Sequence, residues 1–324
     1  MLEILSAFGL DLLLGDPPYP WHPIRILGGW IEQTEKWLRA HLSPPRLAGF
    51  IQALLIPAVT FMVVWFLCGI ADQISPLWKK IISIYFLYSA IAVRDLEKEA
   101  RKVFISLSNG KLDSARKNLS QMVGRDTQDL SQPEVIRATV EAVAESFVDG
   151  VLSPLFYAAL GGAPLAMAYK AINTLDSMVA SRSPRYREFG WMAAKLDEIV
   201  NWIPARISWF LIGIGTAFIN GRTQEAWRVG FEDGAAVSLG NGLVPEAAFA
   251  GALGVQLGGV NFYHGEKVET PKLGYPMRPL EMTDIRLAYR LMKASAWTSL
   301  AFALLLNFLV WICYTKIFHP LSYP

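Results

Sequence analysis

The sequence predicts an all-α, polytopic integral membrane helical bundle with broken or re-entrant helices and an amphipathic cytoplasmic helical hairpin. Three observations carry that expectation. Of the 324 residues, 53% are hydrophobic and only 18% charged. Two uncharged apolar runs are long enough to cross the hydrocarbon core. A third apolar stretch is interrupted by glycine and proline and flanked by carboxylates, a combination tolerated at membrane depth only beside protein or a wet cavity. Eleven Trp and eleven Tyr suit the headgroup level, where amphipathic rings settle. The net charge of +2 comes without a basic stripe interleaved with aromatics, so nucleic-acid binding has no support. Cys68 and Cys313 stand alone in apolar runs, with the spacing of neither a zinc site nor a disulfide framework.

In chain order, Met1 to Leu14 is apolar but carries Glu3 and Asp11 and lacks a basic start and a cleavage site, so it reads as a retained helix. GDPPYPWHPIRILGGWIE then places Asp16, His22 and Arg25 in a proline-stiffened turn. Such rigidity suits a functional loop or a membrane-interface turn between Trp21 and Trp30. Leu47 to Ala71 is the first clear span, and Ile81 to Val93, just long enough, pairs with it as a hairpin. Within Arg94 to Gly150, Leu96, Val103, Leu107, Leu112, Leu119 and Met122 fall on one side of a charged pattern, and Asn109-Gly110 divides it into two amphipathic helices. Val151 to Ala168 is the interrupted stretch, broken by Pro154, Gly161, Gly162 and Pro164. Ile203 to Ile219 is a fourth candidate span and Ala294 to Tyr314 the second clear one. The chain reads as one membrane domain, 1–324, with helical segments at about 94–150 and 221–293 facing the cytoplasm because the polar stretches carry Lys and Arg. No period-two strand pattern runs for a useful length. The glycine-rich stretch 234–259 lacks the strand context and GK[ST] ending of a P-loop.

The chemistry-bearing residues are picked out by spacing. Glu141, Glu145 and Asp149 at i, i+4 and i+8 place three carboxylates in a row on one helix face, which is either a solvated face or a ligand set. No Lys or Arg occurs from 138 to 169. Neutralisation is therefore expected from a cation or a distant basic segment. In Gly124-Arg125-Asp126-Thr127, Arg125 and Thr127 offer donors to a phosphate while Asp126 orients Arg125, or the four form an ordinary capped turn. Lys170, Asn173, Asp176 and Ser177 lie at helical intervals after the interrupted stretch, and Asp197, Asn201 and Arg206 recur around the next apolar run. Carboxylate and amide oxygens gathered at a membrane face would suit magnesium, which takes one or two carboxylates plus phosphate oxygens. The competing reading pairs Asp197 with Arg206 and treats SRSPRYR as a basic interfacial anchor.

In order and spacing, LLLGDPPYPWHPIRILG, the MVGRDT turn, RATVEAVAESFVDGVLSPLFYAALGGAPLAMAYKAINTLDSMV, the FGW…LDEIVNWIPARIS run and PEAAFAGALGVQLGG resemble the adenosylcobinamide-phosphate synthase family, the CbiB/CobD membrane proteins of late cobalamin biosynthesis. The resemblance runs nearly end to end. It implies a multi-pass protein of the cell inner membrane with its active face cytoplasmic, acting as an ATP- and magnesium-dependent ligase. Its corrinoid substrate, adenosylcobyric acid, would be joined to (R)-1-aminopropan-2-ol or its phosphate through an acyl phosphate. On this reading Glu141, Glu145, Asp149, Asp176 and His22 carry catalysis. Arg125, Thr127, Lys170, Asn173, Arg206 and Asn241 bind ATP, and Glu145, Asp149, Asp176 and Asp197 hold the metal. Trp202, Phe156 and the 241–263 loop would bed the corrin ring. Small-residue runs such as GALGVQLGG allow helix packing with a second copy or with other membrane proteins of the pathway. Two departures stand out. Ser146-Phe147 replaces the Asn-Thr of AENTVDG, and Val237-Ser238-Leu239-Gly240 replaces a His followed by Ser-Pro ahead of Asn241. The rival readings are a non-catalytic membrane sensor, assembly protein or corrinoid-binding homologue, and a small-solute transporter.

Overall fold

The computed structural model describes residues 1–17, 19–180, 183–237 and 240–318, with residues 317 and 318 as backbone only. Twelve α-helices, two π-helical segments and one two-stranded sheet are formed by these residues. The helices are α1 (Leu2–Leu14), α2 (Pro23–His41), α3 (Pro45–Ile74), α4 (Pro76–Ala90), α5 (Val93–Ser108), α6 (Leu112–Leu119), α7 (Gln132–Phe147), α8 (Ser153–Val179), α9 (Trp191–Ala217), α10 (Thr223–Val229), α11 (Leu243–Leu253) and α12 (Thr283–Phe318). The all-α membrane class holds. Four helical runs, Pro45–Ile74, Pro76–Ser108, Gln132–Val179 and Thr283–Lys316, are long and apolar enough to cross a membrane, which makes this a multi-pass membrane protein. The further candidate span at Ile203 to Ile219 lies mostly in α9, which is not one of these four because Asn201, Pro204 and Arg206 lower the mean hydropathy of that helix.

The chain folds into two compact units, Met1–Ala92 with Ser153–Val200 and Ser299–Pro324, and Val93–Leu152 with Asn201–Thr298. In the first unit, α3 packs along α8, α4 and α2, and its core joins Leu27, Ile31 and Leu38 to Ile56, Leu175, Val179 and Phe189. The proline-rich turn after α1 is stapled to α4 by two hydroxyls. Tyr85 donates to the carbonyl of Trp21 at 3.0 Å and Tyr88 donates to that of Gly15. The expected helix break is present: Gly161 (φ −144°, ψ 18°) and Gly162 (φ 66°, ψ −156°) interrupt α8 just before Pro164. The amide of Asn307 on α12 donates to the Ala159 carbonyl at 2.9 Å, supplying a partner beside the break. The 183–190 segment is pinned by buried Glu35, which accepts from Arg39 at 2.9 Å and Arg185 at 3.1 Å.

In the second unit, α5 and α6 form the predicted amphipathic hairpin, turning at Gly110 (φ 68°) with Val103, Leu107 and Leu119 buried. Both helices pack on α7. The carboxylate of Glu134 fixes the first turn of α7 by accepting from the Ser131 N–H at 2.7 Å and its hydroxyl at 2.6 Å. Contrary to the expectation of no strands, β1 (Leu257–Tyr263) and β2 (Glu266–Leu273) form an antiparallel hairpin. Its two-residue turn, His264-Gly265, takes positive φ at both positions (53° and 79°), as the twist of a tight hairpin requires. Glycines 258 and 259 and a register shift between Leu257 and Gly259 hide the alternation that would have announced it.

One close approach is directly testable. A Cβ at Gly190 would fall 1.8 Å from the Val179 carbonyl oxygen, whereas one at Gly9 meets nothing within 4 Å. Gly190→Ala should lower stability by about 1–3 kcal/mol. Gly9→Ala should not, as measured by thermal unfolding of both variants in detergent.

Candidate active site

The sequence-predicted residues divide between the units. His22, Lys170, Asn173, Asp176 and Asp197 lie in the first, and Arg125, Thr127, Glu141, Glu145, Asp149, Arg206 and Asn241 in the second. The second unit holds the denser arrangement. Glu141 is 1% exposed and accepts from Arg125 Nη1 at 2.6 Å, Arg137 Nη1 at 3.1 Å and the Gly258 N–H at 2.8 Å. Both arginines also donate to Asn261 Oδ1, at 2.7 and 3.1 Å. Arg137 reaches the Gly258 and Val260 carbonyls as well. Burial works against the Arg125 charge, but Glu141 outweighs it and holds the guanidinium above its ordinary range. Neutralisation thus comes from the distant basic segment through Arg125, and also from a helical neighbour, Arg137, one turn before Glu141 and just outside the window free of basic residues. Asp126 does not take the expected role of orienting Arg125. It accepts the Gly265 N–H at 2.8 Å and secures the hairpin turn.

The row of three carboxylates is graded rather than uniform. Glu141 is buried, Glu145 exposed and Asp149 half-buried. The row departs from a straight α-helical face because Asp149 sits in a π-helical segment, Val148–Leu152, whose wider turn rotates its side chains away from the line set by α7. Glu145 lies against the start of α11: a Cβ on Gly242, the residue capping that helix, would meet Glu145 Oε1 at 3.2 Å. A carboxylate there is favoured by the helix dipole. Beside Gly242, Asn241 Oδ1 accepts from Arg206 Nη1 at 2.6 Å, and the Arg206 guanidinium lies 4.8 Å from the centre of the Trp202 ring. One turn into α11, Glu246 is buried. Burial, then the charges of Glu141 and Glu145, push its carboxyl well above the usual range against the opposing pull of Arg125 and Arg137. Thr127 is buried, Val237 is exposed, and Ser238 and Leu239 lie outside the described residues.

In the first unit, buried His22 pairs through Nε2 with Asp16 Oδ1 at 3.0 Å, with the Tyr19 ring edge-on at 5.3 Å. Lys170 donates to Asn173 Oδ1 at 3.2 Å one turn along α8, and Asp176 comes later on the same helix, half-buried. Asp197 is half-buried on α9. Phe156 is buried, whereas Trp202 and, within the 241–263 stretch, Phe262 are exposed. Among the described residues no group of three or more His, Cys, Asp or Glu side chains is arranged to hold a metal ion. Glu145 and Asp149 contribute single carboxylates rather than members of a clustered set.

Sequence reading missed Arg137, Glu246 and Asn261. Arg137 was one turn from Glu141, a signal in plain sight. Glu246 is the one carboxylate of an otherwise apolar helix, VPEAAFAGAL, a placement that marks a functional group. Asn261 carried no signal, since its role depends on the unpredicted hairpin.

Over residues 4–292 the chain matches the family described as CobD/Cbib protein. It is 38% identical to Cobalamin biosynthesis protein CobD of Clostridium perfringens, over 95% of this chain and 98% of the relative. Identity is 43% to the CobD of Geobacter metallireducens, over 89% and 91%, and 39% to Cobalamin biosynthesis protein CbiB of Salmonella typhi, over 91% and 93%. No solved structure matches the chain.

Removing one guanidinium from the buried cluster leaves Glu141 under-compensated. Arg137→Ala should cost about 3–5 kcal/mol, and Glu141→Gln in that background should restore part of the loss. Denaturant unfolding of the single and double variants measures both.

Proposed function

Because the chain belongs to the CobD/CbiB family, we infer that it acts in cobalamin biosynthesis as an ATP-dependent amide ligase. It would join the carboxylate of adenosylcobyric acid to (R)-1-aminopropan-2-ol or its phosphate, from the cytoplasmic face of the inner membrane. A carboxylate and an amine do not condense in water without activation. The γ-phosphoryl group of ATP passes to a carboxylate oxygen of the corrinoid with release of ADP. The amine nitrogen then bonds to the acyl carbon. The bond from that carbon to the phosphate oxygen breaks with its electron pair leaving on phosphate, and the N–H proton is taken up by a base. ATP enters as its magnesium complex, in which the metal offsets phosphate charge.

The observation that carries this reading is the arrangement at the start of α11. Arg206 and Asn241 are bonded to each other at 2.6 Å, and Glu145 lies over Gly242, the next residue. Phosphate donors and a proton acceptor therefore share one helix end. Arg206 and Asn241 supply hydrogen bonds to a phosphoryl group as charge shifts onto the leaving oxygen, while Glu145 receives the amine proton. Trp202, 55% exposed, offers an apolar face to the corrin ring. Glu141, whose oxygens are already bonded to two arginines and a backbone N–H, acts by holding α7 in place, and Asp149 adds a further carboxylate from the same unit.

Purified protein given adenosylcobyric acid, ATP and each amine in turn should produce a new amide detectable by mass spectrometry. Arg206→Ala should lower kcat/KM by about 10²-fold. Absence of amide with either amine, from protein that still binds the corrinoid, would instead identify a binding homologue.

A further inference from the structure

Where α5 and α12 meet the membrane edge they carry arginines to which the reaction above gives no task. The apolar run Ile81 to Val93 leads directly into α5, and α12 enters its own run, Ala294 to Tyr314, immediately after Lys293. Both belong to helical stretches long and apolar enough to cross a membrane, so the start of α5 and residues 286–293 of α12 lie at headgroup level. Trp297, 54% exposed one turn beyond Lys293, suits that level. Two contacts set the register of the helices. Lys293 Nζ meets Glu97 Oε2 at 2.8 Å, and the Arg286 guanidinium lies 4.6 Å from the centre of the Phe104 ring. The two helices therefore run antiparallel here. Arg101 falls between Glu97 and Phe104 on one face of α5, and Arg290 falls between Arg286 and Lys293 on one face of α12. That register sets the two arginines opposite each other. The carboxylates of these stretches are engaged elsewhere: Asp95 lies 4.0 Å from Lys98, Glu99 accepts from Lys102 at 2.7 Å, Glu97 is taken by Lys293, and buried Asp284 holds Arg278. Among the described residues none is ion-paired with Arg101, Arg286 or Arg290, and all three arginines are exposed.

Facing guanidiniums repel, and an anion between them removes the repulsion. We propose that Arg101, Arg286 and Arg290 form a binding site for the phosphodiester of an anionic phospholipid, which bridges α5 and α12 at the edge of the bilayer. The guanidinium fork matches two phosphate oxygens, and basic clusters beside a membrane-crossing helix attract anionic headgroups. The arginine stems lie along the helices while their charged ends stay among the headgroups. A choline headgroup brings its own cation into a site that is already positive, so it binds less well. Acyl chains in the adjoining bilayer hold the headgroup beside the arginines, an advantage that dissolved phosphate lacks.

The test titrates the full chain, purified in a neutral detergent, with phosphatidylglycerol, phosphatidylcholine or inorganic phosphate, and follows thermal unfolding and lipid retention by native mass spectrometry. Wild type should hold phosphatidylglycerol about tenfold more tightly than phosphatidylcholine and gain a higher Tm from it. Arg101→Gln and Arg290→Gln should each lose about fivefold of that affinity. Without lipid, neither variant should unfold earlier than wild type, because removing one charge relieves the repulsion. Lys102→Gln, the same charge change at a residue already paired with Glu99, should keep the affinity. Equal affinity for the two lipids, no loss in the arginine variants, an equal loss in Lys102→Gln, or an equal Tm gain from inorganic phosphate overturns the lipid site. Should an arginine variant fail to fold, a photoactivatable phosphatidylglycerol added to wild type decides: labelling concentrated on α5 and residues 283–297 supports the site, and labelling spread evenly over the lipid-facing helices overturns it.

Discussion

The buried carboxylate of Glu141 is the constraint around which the second unit is organised. An ionised group taken out of water is tolerated only with well-placed partners, and here the partners come from three stretches of chain: Arg125 before α7, Arg137 on α7 and Gly258 on β1. Satisfying one side chain therefore fixes the basic turn, the helix and the hairpin together. Asn261 tightens the arrangement by accepting from both guanidiniums. Glu145 lies one turn beyond this anchor on the same helix, so its approach to the start of α11 is set by a rigid neighbour rather than by a flexible loop.

The range of an interaction along the chain decided whether the sequence disclosed it. The long apolar runs, the α5–α6 hairpin and the break at Gly161-Gly162 were legible because each depends on residues within a few turns. The β-hairpin was not, because its polar, glycine-interrupted strands carry little periodicity and are held by Arg137 and Asp126 from far along the chain. The acidic row was legible as spacing but not as environment. Its even i, i+4, i+8 pattern assumed a uniform helix, and the π turn at Val148–Leu152 and the packing of α11 on α7 give its members three different exposures. The pairing of Arg206 with Asn241 joined two residues singled out separately, and no spacing rule connects positions so far apart.

The departures from the family pattern acquire a physical meaning at one of the two places. Phe147, standing where a threonine is usual in the resemblance, is fully buried at the end of α7, so the aromatic ring here contributes packing to the core. Ser146 beside it is half-buried. The exchange falls immediately before the π segment that carries Asp149, and it leaves the carboxylates at 141, 145 and 149 intact.

The amide of Asn307 that meets the Ala159 carbonyl beside the break in α8 is 148 residues away in sequence. During synthesis the interrupted helix leaves the ribosome long before that partner exists. A backbone carbonyl exposed to hydrocarbon without a hydrogen bond costs several kcal/mol. The broken segment is therefore expected to remain at the wetter margin of the translocon, or to borrow another donor, and to reach its final depth only once α12 has been made.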